Sequence, residues 1–169
     1  MELESDTYML LHRMLGAAET KEELELVRTR FQAVVDAKRA STTRDDRFDV
    51  AWSMSCLASI YERLKMPTLA EESYLAAIKL FDENDMPGNS AGISTALAAL
   101  YLELGRTKDA EDQLKENARY TSKQWGSGHH VQSAQEELRH FQKTGEMIQA
   151  SQHRWCKSCG VDEYGVGFD

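Results

Sequence analysis

Proline is scarce in this sequence, with 2 residues in 169, and glycine accounts for only 10. A β-sandwich built from short strands and many tight turns needs more of both residues, so that class is disfavoured. Hydrophobic residues make up 41% of the chain and charged residues 28%, which is typical of a folded globular protein rather than a disordered one. The composition therefore favours long helices in a chain of about one domain's length.

Long hydrophobic runs are also missing, since no stretch approaches the roughly 20 apolar residues that span a bilayer. The first residues, 1–6, are acidic and do not resemble a secretory signal peptide. Cysteine occurs 3 times, and an odd number cannot form a fully paired disulfide framework. We therefore predict a cytoplasmic protein with no membrane partner, in a reducing compartment where paired cysteines suggest metal or redox chemistry.

The chain is acidic, with a formal net charge of -8. An acidic chain is a poor general binder of nucleic acid, because the phosphate backbone repels it. Residues 119–157 differ from the rest, since their basic side chains outnumber their acidic ones and give them a formal charge of +3. This segment leaves open the alternative of an assembly protein that contacts RNA.

Motifs of the common catalytic sites are absent as well. The sequence has no phosphate-binding G-x4-G-K-S/T, no H-E-x2-H and no G-x-S-x-G. Acidic side chains are abundant, but they fall on the polar faces of the predicted helices, where like charges are simply solvated. We therefore expect a protein that is not an enzyme.

Apolar residues recur at helical spacing and predict seven helices between residues 5 and 143. The second helix is the clearest, because Thr20 and Glu23 form an S/T-x-x-E capping box directly before its apolar stripe. Pro67 suits the first turn of the fourth helix, where its missing N–H has no helical partner. Gly145 is predicted to end the seventh helix.

Other helix boundaries are predicted from weaker signals. The first helix is expected to carry Met9 and Leu10 among its apolar residues and to stop near Gly16. Residues 86–89, Met-Pro-Gly-Asn, are predicted to be a turn between the fourth and fifth helices. Thr107 is predicted to cap the sixth helix.

The helices repeat at an interval of 40 residues. In both helices of a pair, small, large and aromatic residues are followed 40 positions later by similar ones. The pairs are Leu57/Leu97, Ala58/Ala98, Tyr61/Tyr101, Ala70/Ala110 and Tyr74/Leu114. An alanine allows two helices to cross closely, and the aromatic residue fills the space beside the crossing. Because one helix pair cannot bury its apolar face alone, a repeat of this kind predicts stacked pairs that share a continuous core.

At these positions the chain resembles the tetratricopeptide-repeat (TPR) family, whose pattern is W-x2-L-G-x2-Y…A-x3-F. The longer period is similar to that of the kinesin-light-chain type of repeat. The resemblance implies an all-α fold, a TPR-like α-solenoid of about three helix pairs with a C-terminal capping helix. On this basis residues 1–145 are predicted to form the helical repeat domain, and residues 146–169 a short tail that contains two cysteines.

The resemblance also implies a concave groove lined by the first helix of each pair. Carried over position by position, the partner-binding residues would be Trp52, Ser55, Ser59, Arg63, Thr95, Ala99, Leu102, Glu136 and His140. The Lys, Asn and Arg side chains with which some family members clamp a carboxylate are absent, so no clamp for an acidic C-terminal peptide is expected. Small and hydroxyl-bearing side chains instead favour close approach of a peptide or a helix, or of the protein's own tail.

The tail contains a possible metal site, His153-x2-Cys156-x2-Cys159. Imidazole and thiolate groups at these spacings can converge on one Zn²⁺, but a structural zinc needs a fourth ligand from upstream or from another molecule. His129, His130, His140 and Cys56 are the upstream alternatives. The sequence Trp155-Cys156-Lys157-Ser158-Cys159 also matches the redox motif W-C-x-x-C, although no strand–helix unit surrounds it, and two free thiols remain the simplest interpretation.

Together these patterns predict a non-catalytic interaction scaffold or adaptor that binds a protein, peptide or helix, with self-association possible and no required cofactor. The first alternative is a subunit of a larger assembly that docks through a zinc-binding or RNA-contacting C-terminal segment. The second alternative is a thiol oxidoreductase that uses the two cysteines of the tail.

Overall fold

The computed structural model describes residues 5–148 together with the residue pairs 155–156 and 161–162. Within these residues the chain forms seven α-helices: α1 (Ser5–Ala17), α2 (Lys21–Lys38), α3 (Arg44–Arg63), α4 (Pro67–Glu83), α5 (Pro87–Glu103), α6 (Thr107–Trp125) and α7 (His129–Thr144). The predicted all-α class is confirmed for residues 5–148. None of the helices within residues 5–148 is long and apolar enough to cross a membrane.

Two short strands, which the sequence did not indicate, follow the helices. β1 (Trp155–Cys156) and β2 (Val161–Asp162) are antiparallel, with Trp155 opposite Asp162 and Cys156 opposite Val161. The backbone at Cys156 is therefore extended and paired. His153 and Cys159, the other two predicted metal ligands, lie outside the described residues.

Several helix ends match the chemistry of the sequence. The hydroxyl of Thr20 accepts a hydrogen bond from the N–H of Glu23 at 3.2 Å, and the Glu23 carboxylate accepts one from the N–H of Thr20 at 2.9 Å. These reciprocal bonds confirm the predicted capping box. Pro67 begins α4, and Gly145 ends α7 in a left-handed conformation with φ of 73°. Both boundaries were predicted.

Two predicted boundaries are wrong, that of α5 by most of a turn and that of α6 by one residue. Pro87 and Gly88 belong to the first turn of α5 rather than to a loop, because the fixed φ of proline suits the first helical position. No side chain at Met86 caps this helix; instead the Gly88 N–H donates to the side-chain oxygen of Gln124 on α6 at 3.2 Å. Thr107 likewise lies inside α6, whose N-cap residue is Arg106.

Three successive helices end in the same way, at an interval of 20 residues. Lys65, Asp85 and Gly105 adopt positive φ angles of 61°, 55° and 71° after α3, α4 and α5. After each one the next N–H bonds back to an aromatic residue: Met66 to the Tyr61 carbonyl at 2.8 Å, Met86 to Phe81 at 2.9 Å and Arg106 to Tyr101 at 2.8 Å. This is the Schellman ending of a helix. The 40-residue period therefore consists of two helix-plus-turn segments of equal length. An extended loop is not needed to account for it.

The described residues divide into two compact units, and the division falls inside α4, after Ala77. In the first unit α2 and α3 make the most extensive helix contact, and their apolar faces form the core. Its fully enclosed side chains include Val27, Phe31, Val35 and Ile60. The core also receives Leu11 and Leu15 of α1 and Ala18, which directly follows this helix.

The prediction for the apolar face of α1 was therefore partly wrong. Met9 and Leu10 are 54% and 57% exposed, whereas the adjacent Leu11 is buried. Since Leu11, Leu15 and Ala18 are spaced by four and three residues, they form one stripe that excludes both exposed neighbours. The presence of the helix could be read from the sequence, but the face that it buries could not.

In the second unit α5 packs closely against α6, and α7 also packs against α6. The core contains Ile93 and Leu97 of α5, Leu114 of α6, and Val131 and Phe141 of α7. Five pairs of positions 40 residues apart were predicted to be equivalent. Both members are buried in four of these pairs, Leu57/Leu97, Ala58/Ala98, Ala70/Ala110 and Tyr74/Leu114, while Tyr61 is half-buried and Tyr101 is buried.

Candidate binding face

Four of the predicted partner-binding residues lie on α3, at the spacing that places side chains on one side of a helix. Trp52 and Ser59 are half-buried, and Arg63 is exposed. Ser55, in contrast, is 9% exposed. This side of α3 is therefore a partly open surface at Trp52 and Ser59 and a closed one at Ser55.

Trp52 belongs to a row of rings on α1 and α3. The centroid of its ring lies 6.2 Å from that of Phe48, with the two planes 12° apart, and 5.9 Å from that of His12. Phe48 is half-buried and His12 is exposed. We call Phe48, Trp52, Ser59 and His12 the aromatic face. Phe48 could have been found from its position four residues before Trp52, whereas His12 comes from another helix and gave no signal.

The hydroxyl of Ser55 is used within its own helix. It donates to the backbone carbonyl of Trp52 at 2.7 Å, a bond that is common for serine inside helices. The predicted hydrogen bond from Ser55 to a partner stays a prediction, but it would have to replace this internal one.

The guanidinium of Arg63 is also engaged within the chain. Nη1 donates to the carbonyl of Leu15 at 2.9 Å, and Nη2 donates to the carbonyl of Ala18. Both carbonyls belong to the carboxyl end of α1. The predicted role of Arg63 as a contact for a partner is untested, and the observed bonds connect it to α1 instead.

A charge cluster fixes the beginning of the helix that carries the aromatic face. Nζ of Lys38, at the end of α2, lies 2.8 Å from a carboxylate oxygen of Asp46 and forms a second ion pair with Asp49. Asp46 also accepts hydrogen bonds from Ser41 at 2.6 Å and from Thr43 at 2.9 Å. The ammonium of Lys38, and after it these two hydroxyls, lower the pKa of Asp46 to about 2.

The same cluster reaches α1 through Tyr8. The hydroxyl of Tyr8 is enclosed, and burial, followed by the nearby carboxylate of Asp49, raises the pKa of this phenol. The Ser53 hydroxyl faces it and is itself fully buried. The sequence analysis did not single out these side chains, because their contacts join three helices that are distant in the sequence.

In the second unit the predicted residues fall on two helices. Thr95 and Leu102 on α5 are half-buried, and Ala99 is exposed. Thr95 points towards α6: its hydroxyl accepts a hydrogen bond at 2.9 Å from the amide of Asn117, which also donates to the carbonyl of Ala91 at 2.8 Å. Asn117 was not predicted, although an amide side chain on the half-buried side of a helix is a reasonable candidate for a contact between helices.

Glu136 and His140 lie on α7, where Glu136 is exposed and His140 is half-buried. The buried carboxylate of this helix belongs to the next residue, Glu137, which accepts a hydrogen bond from the N–H of Ile148 at 2.8 Å. Glu137 therefore holds the segment that follows α7, and it was missed because the sequence gives no sign of which carboxylate turns inwards.

A second ring cluster lies where α6 meets α7. The imidazole of His130 stacks on Trp125 with centroids 4.5 Å apart, and the ring of His129 lies 4.1 Å from that of His130. Burial, and after it the neighbouring His129, lowers the pKa of His130. The cluster packs the first turn of α7 against the last turn of α6.

No group of three or more His, Cys, Asp or Glu side chains with metal-binding geometry occurs among residues 8–148. Of the predicted ligands, only the backbone of Cys156 is described. Cys56 is buried, and this burial raises the pKa of its thiol to about 12. A thiol of this kind is a poor nucleophile, because the reactive species is the thiolate.

No protein-family model, no curated protein and no solved structure matches this chain. A function for the protein therefore has to be argued from the geometry of its own side chains. The aromatic face is the feature that best combines partial exposure with large apolar side chains, and its Ser59 adds one hydroxyl about two turns after Trp52 along α3.

Proposed function

We propose that this protein is a non-catalytic interaction scaffold made of TPR-like helix pairs, which binds an apolar peptide or helix on the aromatic face. The observation that carries the proposal is the repetition itself. The same helix ending occurs three times at intervals of 20 residues, and three pairs of identical residues 40 positions apart are buried, Leu57/Leu97, Ala58/Ala98 and Ala70/Ala110. Repeat proteins of this kind commonly present extended surfaces for binding other proteins.

Contacts within the first unit support a repeating arrangement. Tyr8, His12 and Leu15 of α1 lie beside Asp49, Trp52 and Arg63 of α3, so the two helices advance in the same direction. In a stack of antiparallel helix pairs, a helix and the next but one are parallel neighbours. The contacts between α1 and α3 agree with that arrangement, in which both helices would line the same side of the repeat domain.

The chemistry of the aromatic face indicates what it would bind. Trp52 and Phe48 offer flat apolar surface, and tryptophan is among the residues that contribute most binding energy at protein interfaces. Ser59 is small, which allows a backbone to approach closely, and its hydroxyl can pair with a peptide group. The net charge of -8 disfavours an acidic partner. We therefore propose a partner segment with apolar anchor residues and no excess of acidic ones.

The experiment starts from a library of random 12-residue peptides displayed on phage and selected on the full chain. The selected peptide is then the probe for fluorescence-anisotropy titrations. Substitution Ser59→Arg places a long charged side chain on the aromatic face and should weaken binding at least tenfold. Ser73→Arg is the matched control, because Ser73 is a half-buried serine on α4, a helix that carries none of the predicted contacts.

Circular dichroism of both variants checks that the helices are intact. Peptide affinities that agree within twofold for wild type, Ser59→Arg and Ser73→Arg would remove the aromatic face as the binding site. A library that gives no peptide competing for this surface would argue against the interaction function itself.

A second function, a subunit of a larger assembly that docks through a zinc-binding tail, is favoured by one observation. Cys156 lies at the end of β1 opposite Val161 of β2, and Cys159 is one of the four residues between them in the sequence. The spacing Cys-x2-Cys between paired strands is typical of half of a structural zinc site. The remaining ligands would include His153 or would come from another molecule.

Native mass spectrometry of the full chain, purified with zinc present, tests this second function. One zinc per chain in the wild type and none in Cys156→Ser would support it. Cys56→Ala is the control: Cys56 was one of the upstream alternatives for the fourth ligand, but it is buried in α3, so its loss should leave the metal content unchanged. Zinc well below one equivalent in the wild type would end the zinc hypothesis.

A further inference from the structure

The last carbonyl groups of a helix have no partner inside that helix and have to find one elsewhere. At the end of α1 this partner is Arg63, the last residue of α3, whose two terminal nitrogens donate to Leu15 and Ala18. A guanidinium is suited to this task, because it is planar and presents several donors at fixed angles. Its positive charge is also stabilised at the negative end of the helix dipole.

The bond from Arg63 is one of three contacts that hold α1 along α3. The hydroxyl of Tyr8 lies beside Ser53 and Asp49 near the beginning of α1, and His12 lies against Trp52 in its middle. Arg63 completes the row at the carboxyl end. The direct contact of α1 with α2 is much less extensive than that of α2 with α3, so these three contacts with α3 matter for the placement of α1.

We propose that Arg63 is a positioning residue, which fixes α1 as one side of the aromatic face and does not itself contact the bound peptide. This inference rests on the proposed binding function, and it assigns to Arg63 a role different from the one expected of it from the sequence. His12 is part of the face only while α1 stays in place. Loss of the two bonds from Arg63 would let α1 move away from Trp52, and the peptide would lose that side of its site.

Amide hydrogen exchange of the full chain, followed by mass spectrometry, tests the first half of the inference without any peptide. In Arg63→Ala we expect the amides of α1 to exchange at least tenfold faster, while those of the core of α2, residues 24–35, change much less. Arg30→Ala is the matched control, because Arg30 is an exposed arginine on α2. Unchanged exchange of α1 in Arg63→Ala would overturn the inference, whatever the peptide result.

Affinity for the selected peptide tests the second half. Arg63→Ala should weaken binding about tenfold, and so should Leu11→Asp, which detaches α1 by placing a charge in the core. If Arg63 acts through α1, the two substitutions remove the same contribution to binding. The double variant Arg63→Ala/Leu11→Asp should then bind the peptide with the same affinity as the single variant that has the lower affinity. Losses that multiply would show that Arg63 contacts the peptide directly and would overturn the proposal. Absence of peptide binding in the wild type would instead refute the binding function and leave the exchange result standing.

Discussion

The side chains that fix the ends of these helices act over very different distances along the chain. The capping pair Thr20–Glu23, the initial Pro67 and the terminal Gly145 depend on neighbours within four residues, so the sequence contains all the information needed. Arg63 shows the opposite case, since its acceptors lie 45 and 48 residues away. Helical spacing tells which residues share a side of one helix, but not which other helix lies opposite. The hydrogen bond of Thr95 with Asn117 on α6 could not be predicted for the same reason. That of Ser55 with the Trp52 carbonyl was not predicted either, although it lies within one helix.

Burial makes the thiol of Cys56 unreactive. Because its pKa is raised to about 12, very little thiolate is present at pH 8. In a Cys156→Ser/Cys159→Ser background we expect Ellman's reagent to label the native protein only as fast as it unfolds, and the urea-unfolded protein within seconds. The absorbance at 412 nm measures both rates. Rapid labelling of the native chain at pH 8 would contradict the burial of Cys56.

Asp46 should make the stability of the protein sensitive to acid. Its pKa falls from an ordinary 3.8 to about 2 on folding, chiefly because of Lys38, so its contribution is complete above about pH 4 and is lost as the pH falls towards 2. We expect the thermal midpoint of Asp46→Asn to decline less steeply over this interval than that of the wild type. Circular dichroism at 222 nm measures the midpoints. Asp45→Asn removes an exposed carboxylate from the same turn, and an equally shallow decline in both variants would contradict the assignment to Asp46.

Whole helices were predicted more reliably than their buried faces and ends. All seven helices appear where apolar spacing places them, yet the buried side of α1, the first turn of α5 and the cap residue of α6 were wrong. A short helix such as α1 has too few turns to define one apolar stripe, and both Met9–Leu10 and Leu11–Leu15 fit its pattern. At α5, the pair Pro87–Gly88 has the composition of a turn, but the Gly88 N–H is satisfied by Gln124, which the local sequence does not reveal.

Substitutions at the three equivalent helix ends should change the free energy of unfolding in a predictable order. Gly105 has φ of 71°, so Gly105→Ala should cost about 1 kcal/mol, since an L-side chain is strained in this conformation. Lys65 already bears that strain, and Lys65→Gly should therefore stabilise the protein by about 0.5 kcal/mol. Asp85→Gly should gain less, because aspartate tolerates the left-handed region better than lysine. Urea unfolding followed by circular dichroism measures all three variants.

Gly16→Ala is the control for this series. Gly16 lies inside α1 and a Cβ there would meet nothing within 4 Å, so alanine should be neutral or slightly stabilising. If Gly105→Ala lowers the free energy of unfolding no more than Gly16→Ala does, the residue that ends α5 does not require a glycine, contrary to what its φ angle implies.

At the scale of the whole molecule, the all-α class was predictable because scarce proline and glycine, helical spacing and the 40-residue offset all indicated it. The candidate binding face was predictable only in part. Trp52 and Ser59 were found from the resemblance to TPR proteins, while His12, the cluster around Lys38 and the contact of Asn117 with Thr95 required the packed structure. Pairing between distant segments is set by the summed burial of many side chains, and no local pattern encodes it.

The overall charge gives a prediction about RNA. With a net charge of -8, the full chain should not bind a fluorescein-labelled 20-nucleotide RNA at 150 mM KCl, despite the basic residues in 119–157. Fluorescence anisotropy measures the binding, and lysozyme, a basic protein, serves as the positive control. Micromolar binding that weakens steeply with salt would instead support the alternative of an RNA-contacting assembly protein.

The identical endings of α3, α4 and α5 have a consequence for building longer versions of the chain. Because Lys65 and Gly105 occupy the same place in successive turns, the segment 66–105 begins and ends at geometrically interchangeable points. A gene that encodes this segment twice would join Gly105 to a second Met66 through a junction that the natural chain already uses. The product would gain two more helices that end in the same turns, without a designed linker, so the length of the protein could be adjusted with its own sequence.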